Sequence, residues 1–356
     1  MKIIHTADFH IGSPLSSRLS GEKREERQNE IISNFRRLVE QAYALGASAI
    51  IIAGDLFDEN DVGIRAKNAV IETVRWASDI SFFLLEGNHD KGITGVMEMP
   101  ENLFTFGSEW SYYELSEGVT VCGRIFFDEN AFQTLHLKKE KKNIAVLHGE
   151  LREHSAPLYT VGLKDAAGKF IDYLALGHYH SYSVTRIDER GNAVYSGTPE
   201  GRGFDETGEC GFVLIDTDGK GLTHRFIPFA RRKIHDIKLP IDGMSGQGDI
   251  VRAAMKILEN IPSSDMVRLE LVGRYTSGIW KDGEALEREL KGHLYHLEIK
   301  DSSRPKADYS GFTNDKSLKG EFIRAVLGDT TLSDLEKDEV IRMGIAALAG
   351  EDGFSL

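Results

Sequence analysis

The sequence has only two cysteines among 356 residues, Cys122 and Cys210. They lie far apart and form no Cys-x-x-Cys pair, which excludes a disulfide framework and a thiolate zinc site. Any metal must therefore be held by His, Asp, Glu or Asn. Long apolar runs are missing too. The longest, Ala47–Ala53 and Ile80–Leu85, fall far short of the roughly 20 residues that cross a bilayer. The chain opens directly on the apolar Lys2–Thr6, without the charged and hydrophobic stretches of a signal peptide. The expectation is a cytoplasmic protein with no membrane attachment. Internal repeats and a P-loop are also absent, which excludes an ATPase of that type. A formal net charge of −13 argues against a nucleic-acid partner, because phosphate contacts need a basic field. A chain escapes that argument by gathering its basic residues on one face and letting bound divalent cations add positive charge locally.

What is present is an alternation of strands and helices. The length suits about two domains and a tail. Hydrophobic content of 41% and charged content of 28% are those of a soluble globular chain rather than a disordered one. Lys2–Thr6, Ala49–Ala53 and Ser81–Leu85 read as buried strands. Glu25–Leu45 and Ile64–Ala77 read as helices, the first stopped by Gly46. Further strands are expected at Val119–Cys122, Asn143–Leu147, Tyr173–Leu176, Ala193–Tyr195 and Phe212–Ile215. The order implies parallel pairing early and more antiparallel pairing later, in a layered α/β or α+β fold. Near Pro228–Lys233 the pattern resets to strand–helix–strand–helix–strand, enough for a small second domain. Ser302–Asn314 reads as a linker, and two short amphipathic helices follow, the second opened by a capping box at Ser333-Asp-Leu-Glu336.

Each early strand ends by delivering potential metal ligands. The series runs Asp8-Phe-His10, Gly54-Asp55-Leu-Phe-Asp58, Gly87-Asn88-His89-Asp90, His148-Gly149 and Gly177-His178-Tyr-His180. Sites assemble beyond the carboxyl ends of strands in sheets with crossover connections. Convergence of these five ends would gather two carboxylates, one carboxamide and four imidazoles. Carboxylate and amide oxygens with borderline imidazoles suit Mn²⁺, Fe²⁺ or Zn²⁺. Two such ions can share a bridging carboxylate. The glycines at 54, 87, 149 and 177 let backbone pass close to a crowded site. Any one piece alone is common by chance; the ordered series is not.

The series resembles the calcineurin-like metallophosphoesterases, whose motifs are DxH, GDxxD, GNHD/E, GH and GHxH in that order. The resemblance implies a β-sandwich flanked by helices. It implies that one metal is held by Asp8, His10 and His180, and the other by Asn88, His148 and His178, with Asp55 bridging. His89 takes the place of the general acid. Asp58 either orients His89 or caps the following helix.

Three features bear on which phosphoester is cleaved. Protein phosphatases of this superfamily carry arginine after GDxxD and glutamate ending GNHE, whereas here those positions hold Glu59 and Asp90. Tyr195-Ser-Gly-Thr-Pro-Glu-Gly-Arg-Gly-Phe-Asp-Glu206 resembles the segment after the metal motifs in SbcD-like DNA repair exonucleases. In it Arg202 either meets a phosphate or pairs with Asp205 or Glu206. The small domain resembles the capping domain of that branch. The resemblance thus implies a nuclease domain at 1–230, a DNA-contacting capping domain at 231–303, and a linker with a helical tail at 304–356. The tail either binds an SbcC-like SMC-type ATPase or folds back on its own domain. Family members dimerise through helices between the second and third motifs, where Val62–Ile80, with Val70, Val74 and Trp76, is either that surface or core. Arg231-Arg232-Lys233 is either a phosphate contact or a solvated hinge. The expected activity is Mn²⁺-dependent exonucleolytic cleavage of DNA in repair, with endonuclease action left open. A phosphodiesterase of small nucleotides is the second enzymatic reading. A scaffold that only binds DNA ends fits less well, because the whole ligand series and His89 are present.

Overall fold

The computed structural model describes residues 1–15, 19–58, 62–90, 99–125, 128–157, 159–275 and 282–348. Glu59 lies outside the described residues. The first sheet is built from β1 (Lys2–Thr6), β2 (Ala47–Ala53), β3 (Ser81–Leu85) and β4 (Leu103–Thr105), all parallel. The second uses β5 (Ser111–Ser116), β6 (Val119–Gly123), β7 (Lys142–His148), β10 (Tyr173–Gly177), β11 (Ser183–Arg186) and β12 (Asn192–Tyr195). Two short strands, β8 (Glu150–Arg152) and β9 (Thr160–Gly162), pair apart from it, and a single helical turn, α3 (Leu163–Ala166), follows β9. The chain then returns to the first sheet, where β13 (Gly211–Asp216) lies antiparallel to β1 and β14 (Thr223–Pro228) antiparallel to β13.

Side-chain alternation divides the first sheet between two cores. Ile3, Ala49, Ile51, Phe83 and Leu85 face the second sheet and meet Val121, Ile144, Val146, Tyr173 and Ala175. Ile4, Ile50, Ile52, Phe82 and Leu84 face the other way, onto α1 (Gly21–Leu45) and α2 (Ile64–Trp76). Ser20 caps α1, accepting from the Lys23 N–H, and Gly46 ends it at φ 69°. The result is a mixed α/β sandwich flanked by helices.

The pairing follows the expected order, parallel across β1 to β4 and antiparallel at β13 and β14. The second sheet stays parallel through β6, β7, β10 and β12, with antiparallel pairs at its edges, β5–β6 and β11–β12. The near-continuous apolar runs at 144–147 and 173–176 are what central parallel strands, covered on both faces, require. Val70 and Val74 are core residues against the first sheet, not a dimer surface. Trp76 alone of that trio stands half exposed, with the Arg36 guanidinium 3.8 Å over its ring.

A buried ion network ties α1 to the segment after β12. The Arg27 guanidinium donates to Glu200 (3.0 Å) and to the Gly201 carbonyl, and also pairs with Glu30. Asn34 and the backbone N–H groups of Arg231 and Arg232 complete the shell around Glu200. Arg232 pairs with Glu26 and Glu30 and stacks on Tyr295, so it is an internal tie rather than a solvated hinge.

The chain clusters into two compact units. One comprises Met1–Ile237 with Ile257–Leu269 and Lys291–Glu298, and the other Lys238–Lys256, Glu270–Leu290 and Ile299–Leu356. The strand–helix–strand–helix–strand run after residue 230 appears as β15 (Ile234–Pro240), α4 (Gln247–Leu258), β16 (Met266–Val272), α5 (Gly283–Leu290) and β18 (His296–Asp301), with sheet order β15–β16–β18. In the second unit β17 (Arg274–Tyr275) pairs with β19 (Arg304–Pro305). There α6 (Leu318–Gly328) also packs on α7 (Asp334–Leu348). The Ser333–Glu336 capping box opens α7, each residue accepting from the other's backbone N–H.

Candidate metal centre

The carboxyl ends of β1, β2 and β3 are neighbours in one sheet, and those of β7 and β10 are neighbours in the other. Their loops meet, as sites at strand ends do. Asp8, His10 and His180 form one group whose ligand atoms lie within 4.8 Å of one another, and Asp8, Asp55 and His148 form a second. Asp55 sits between them: its Oδ2 is 3.7 Å from Nε2 of His10 and 3.3 Å from Nε2 of His148. Asn88 joins the second group through Oδ1, 2.9 Å from the same His148 nitrogen. The His178 ring lies 5.4 Å from that of His148, while its backbone N–H donates to both oxygens of Asp8. All seven expected ligands are brought together.

The backbone that holds them is unusual. Asp8, His10, Asp55 and His178 have φ of 53°, 45°, 52° and 103°. Each such residue costs on the order of 1–3 kcal/mol and persists only where its surroundings enforce it. The enforcing bonds are visible: the Asp8 and His10 N–H groups donate to the carbonyls of Gly54 and Asp55, and the Thr198 hydroxyl donates to the Asp8 carbonyl. Two glycines make room. A Cβ on Gly54 would lie 2.2 Å from His148 Nδ1, and one on Gly87 would lie 2.1 Å from Asp55 Oδ1.

The polar atoms fit a cation pair. His148 Nδ1 faces the Ala53 carbonyl at 2.9 Å, so that nitrogen must donate and Nε2 points at the oxygens of Asn88 and Asp55. Something positive is needed there. Burial disfavours the imidazolium, but the Asp55 hydrogen bond and charge outweigh it and raise His148 to about 9. Asp55 is held well below the ordinary carboxylate range, with His148 overcoming the cost of burial. Burial pushes Asp8 up to about 7, against the pull of His148 and His180. The buried Nε2 of His10 has no hydrogen-bond partner. Orphaned nitrogen, crowded carboxylates and hard oxygen donors together match Mn²⁺, Fe²⁺ or Zn²⁺.

Around these groups stand the remaining candidates. His89 is part-exposed, and its Nδ1 lies 3.1 Å from Asp58 Oδ1. The same Asp58 oxygen is 3.4 Å from His10 Nδ1. Asp58 does not cap α2, whose N-cap is Gly63 with no side-chain cap bond. Arg202 is engaged with Glu206, through its backbone N–H (2.7 Å) and its guanidinium, and not with the exposed Asp205.

Two functional residues escaped sequence reasoning. Asp90 is 1% exposed and accepts from the N–H groups of Leu56, Phe57 and Gly87, so it locks the β2 and β3 loops to each other. Its place in Gly87-Asn88-His89-Asp90 was a signal, but no role followed from it. Glu206 is the other, its Oε1 2.7 Å from His180 Nδ1.

Comparison with known proteins agrees with this geometry. The calcineurin-like phosphoesterase profile matches residues 1–182, which contain the whole ligand series. The chain belongs to the calcineurin-like phosphoesterase family. It is similar to the uncharacterized metallophosphoesterase YhaO of Bacillus subtilis, 27% identical over 256 residues, covering 67% of this chain and 61% of that protein. It is also similar to the SbcD component of the SbcCD nuclease of Staphylococcus saprophyticus, 26% identical over 278 residues, covering 64% of this chain and 69% of that one. The DNA double-strand break repair protein Mre11 of Methanosarcina acetivorans is 26% identical over 298 residues, covering 78% of this chain and 46% of its own length. The chain thus spans less than two thirds of the first and third of these relatives. No helix among the described residues is long and apolar enough to cross a membrane.

Proposed function

We propose that the chain is a two-metal phosphodiesterase whose substrate is DNA. One observation carries the metal pair: a single Asp55 oxygen flanked by imidazole nitrogens that arrive from both sheets, His10 from the first and His148 from the second. In this reading Asp8, His10 and His180 would hold one ion and Asn88, His148 and His178 the other, with Asp55 shared between them. Bound divalent cations supply Lewis-acid charge for the phosphoryl oxygens and lower the pKa of water, and Mn²⁺ suits this donor set.

The chain's own residues do the rest. The Ala53 carbonyl fixes the His148 tautomer, so that Nε2 is the ligating atom. Asp58 holds His89 at the part-exposed rim, where a protonated imidazole can donate to the departing sugar oxygen. Such general-acid help is worth about 10²–10⁴-fold. Asp90 keeps the loops carrying Asp55 and Asn88 at a fixed separation.

DNA as substrate is supported by the nuclease and DNA-repair relatives. On the same support, residues 231–303 contact DNA and the pathway served is DNA repair; docking of the helical tail on an SbcC-like ATPase, a homodimer and a cytoplasmic location rest on the sequence resemblance alone. The test is cleavage of linear duplex DNA, single strands and bis-p-nitrophenyl phosphate by the Mn²⁺-loaded protein beside a His89→Asn variant. DNA cleavage that His89→Asn loses while retaining its metal is the expected result. Cleavage of the small ester with no action on any DNA would instead establish a small-nucleotide phosphodiesterase. Absence of hydrolysis with both ions bound would overturn the enzymatic reading.

A further inference from the structure

Three of the site's imidazoles have their second ring nitrogen engaged, and in three different ways. His148 Nδ1 meets a neutral backbone carbonyl. His10 Nδ1 shares Asp58 with His89, at the longer distance of 3.4 Å. His180 Nδ1 meets the Glu206 carboxylate at 2.7 Å, in the shortest contact of the three.

Glu206 is itself immobilised. Its side chain is 3% exposed, and the Arg202 guanidinium and backbone N–H both donate to it. The segment that carries both residues is fastened at its start, where the Thr198 N–H donates to the His180 carbonyl and the Thr198 hydroxyl to the Asp8 carbonyl. It is fastened again by Glu200, which takes hydrogen bonds from Arg27, Asn34 and the backbone of Arg231 and Arg232. A carboxylate only accepts, so the 2.7 Å contact with Glu206 makes His180 Nδ1 the donor; Arg202 Nη2, 3.2 Å from the same nitrogen, can donate to it only in the opposite tautomer, which would set a lone pair against the carboxylate. Nε2 of His180 is then left as a lone pair within the group it forms with Asp8 and His10.

We propose that Glu206, held by Arg202, is the positioning residue for His180: it fixes the tautomer and ring angle that present Nε2 to the metal position shared with Asp8 and His10. This rests on the two-metal reading above. A carboxylate behind a ligating imidazole raises its basicity, and loss of such a partner weakens metal binding by about 10–100-fold. The effect falls on one ion of the pair, because the His148 and Asn88 side of the centre does not touch Glu206.

The test is titration of the metal-free protein with Mn²⁺, following free ion by electron paramagnetic resonance. Wild type is expected to take up two ions per chain. Glu206→Gln is expected to take up one as before and the other about 10–100-fold more weakly. A folded Glu206→Gln that binds both ions as wild type does, or loses both equally, overturns the proposal. Wild-type protein that takes up no pair of ions sinks the two-metal reading instead. A second measurement does not depend on the variant folding. In wild-type protein loaded with Zn²⁺, long-range ¹⁵N–¹H correlation should show His180 protonated at Nδ1 and metallated at Nε2, and the opposite tautomer overturns the proposal.

Discussion

Oδ1 of Asp58 lies 3.1 Å from Nδ1 of His89, so a charged carboxylate stands directly behind the proposed proton donor. Asp58→Asn keeps the shape and removes the charge. It should lower kcat for DNA cleavage by about 10-fold, a part of the roughly 10²–10⁴-fold that general-acid catalysis supplies as a whole. KM should change much less, and because the same carboxylate hydrogen-bonds the ligand His10, Mn²⁺ affinity should fall too, so kcat is compared at saturating Mn²⁺. Steady-state kinetics beside a metal titration decide it. An unchanged kcat removes Asp58 from the mechanism.

Gly87→Ala should abolish Mn²⁺ uptake. The new Cβ would lie 2.1 Å from Asp55 Oδ1 and 2.6 Å from the Asp55 backbone nitrogen, so the carboxylate at the centre of the site has to move. Gly87 is not in the left-handed region, which makes the expected loss a matter of space alone. A variant that binds two ions as wild type does would show that Asp55 is not needed where it stands.

Arg27→Ala strands two carboxylates in the interior. Arg27 is 1% exposed and faces Glu30 and Glu200, themselves 6% and 2% exposed. Removing one member of a buried pair costs about 3–5 kcal/mol. Urea unfolding of the metal-free protein should show a loss of that size, and a loss under about 1 kcal/mol would contradict the burial of the network. Arg27→Met with Glu200→Gln should recover part of it.

Acid should weaken the fold partly through His5. Burial lowers His5 from 6.5 to about 3, and its Nδ1 sits 2.8 Å from the Tyr173 hydroxyl. The unfolded chain therefore binds a proton between pH 6.5 and about 3 that the folded chain refuses. The stability that neutral His5 contributes is full above pH 6.5 and is lost as pH falls toward 3. In the metal-free protein, His5→Gln should flatten the fall of unfolding free energy across that window. An equally steep fall in both proteins would assign the acid sensitivity elsewhere.

How far the sequence reveals this architecture depends on what each segment buries. The central strands were legible because 144–147 and 173–176 are continuous apolar runs that end abruptly in polar residues. The same abrupt change exposed the site, since His148 and His178 are where those runs stop. Edge strands were not legible. Thr223–Pro228 and Ser183–Arg186 present alternating or mostly exposed positions, and pairing along one edge demands little of their side chains. The support of the site was hidden for another reason. Glu206 and His180 are 26 positions apart, and no local spacing says that a carboxylate in Gly203-Phe-Asp-Glu206 will turn inward while Asp205 turns out. Asp58 could be assigned between helix cap and His89 partner only once Gly63 was seen at the start of the helix.

The left-handed backbone at Asp8, His10, Asp55 and His178 bears on any attempt to make this protein hardier. Glycine at those four positions would relax the main chain, and a screen that rewards heat resistance alone would favour it. Each such gain would delete a donor atom from the centre. Robustness must therefore be sought elsewhere, in the helices and sheet edges, while these four residues are left under tension.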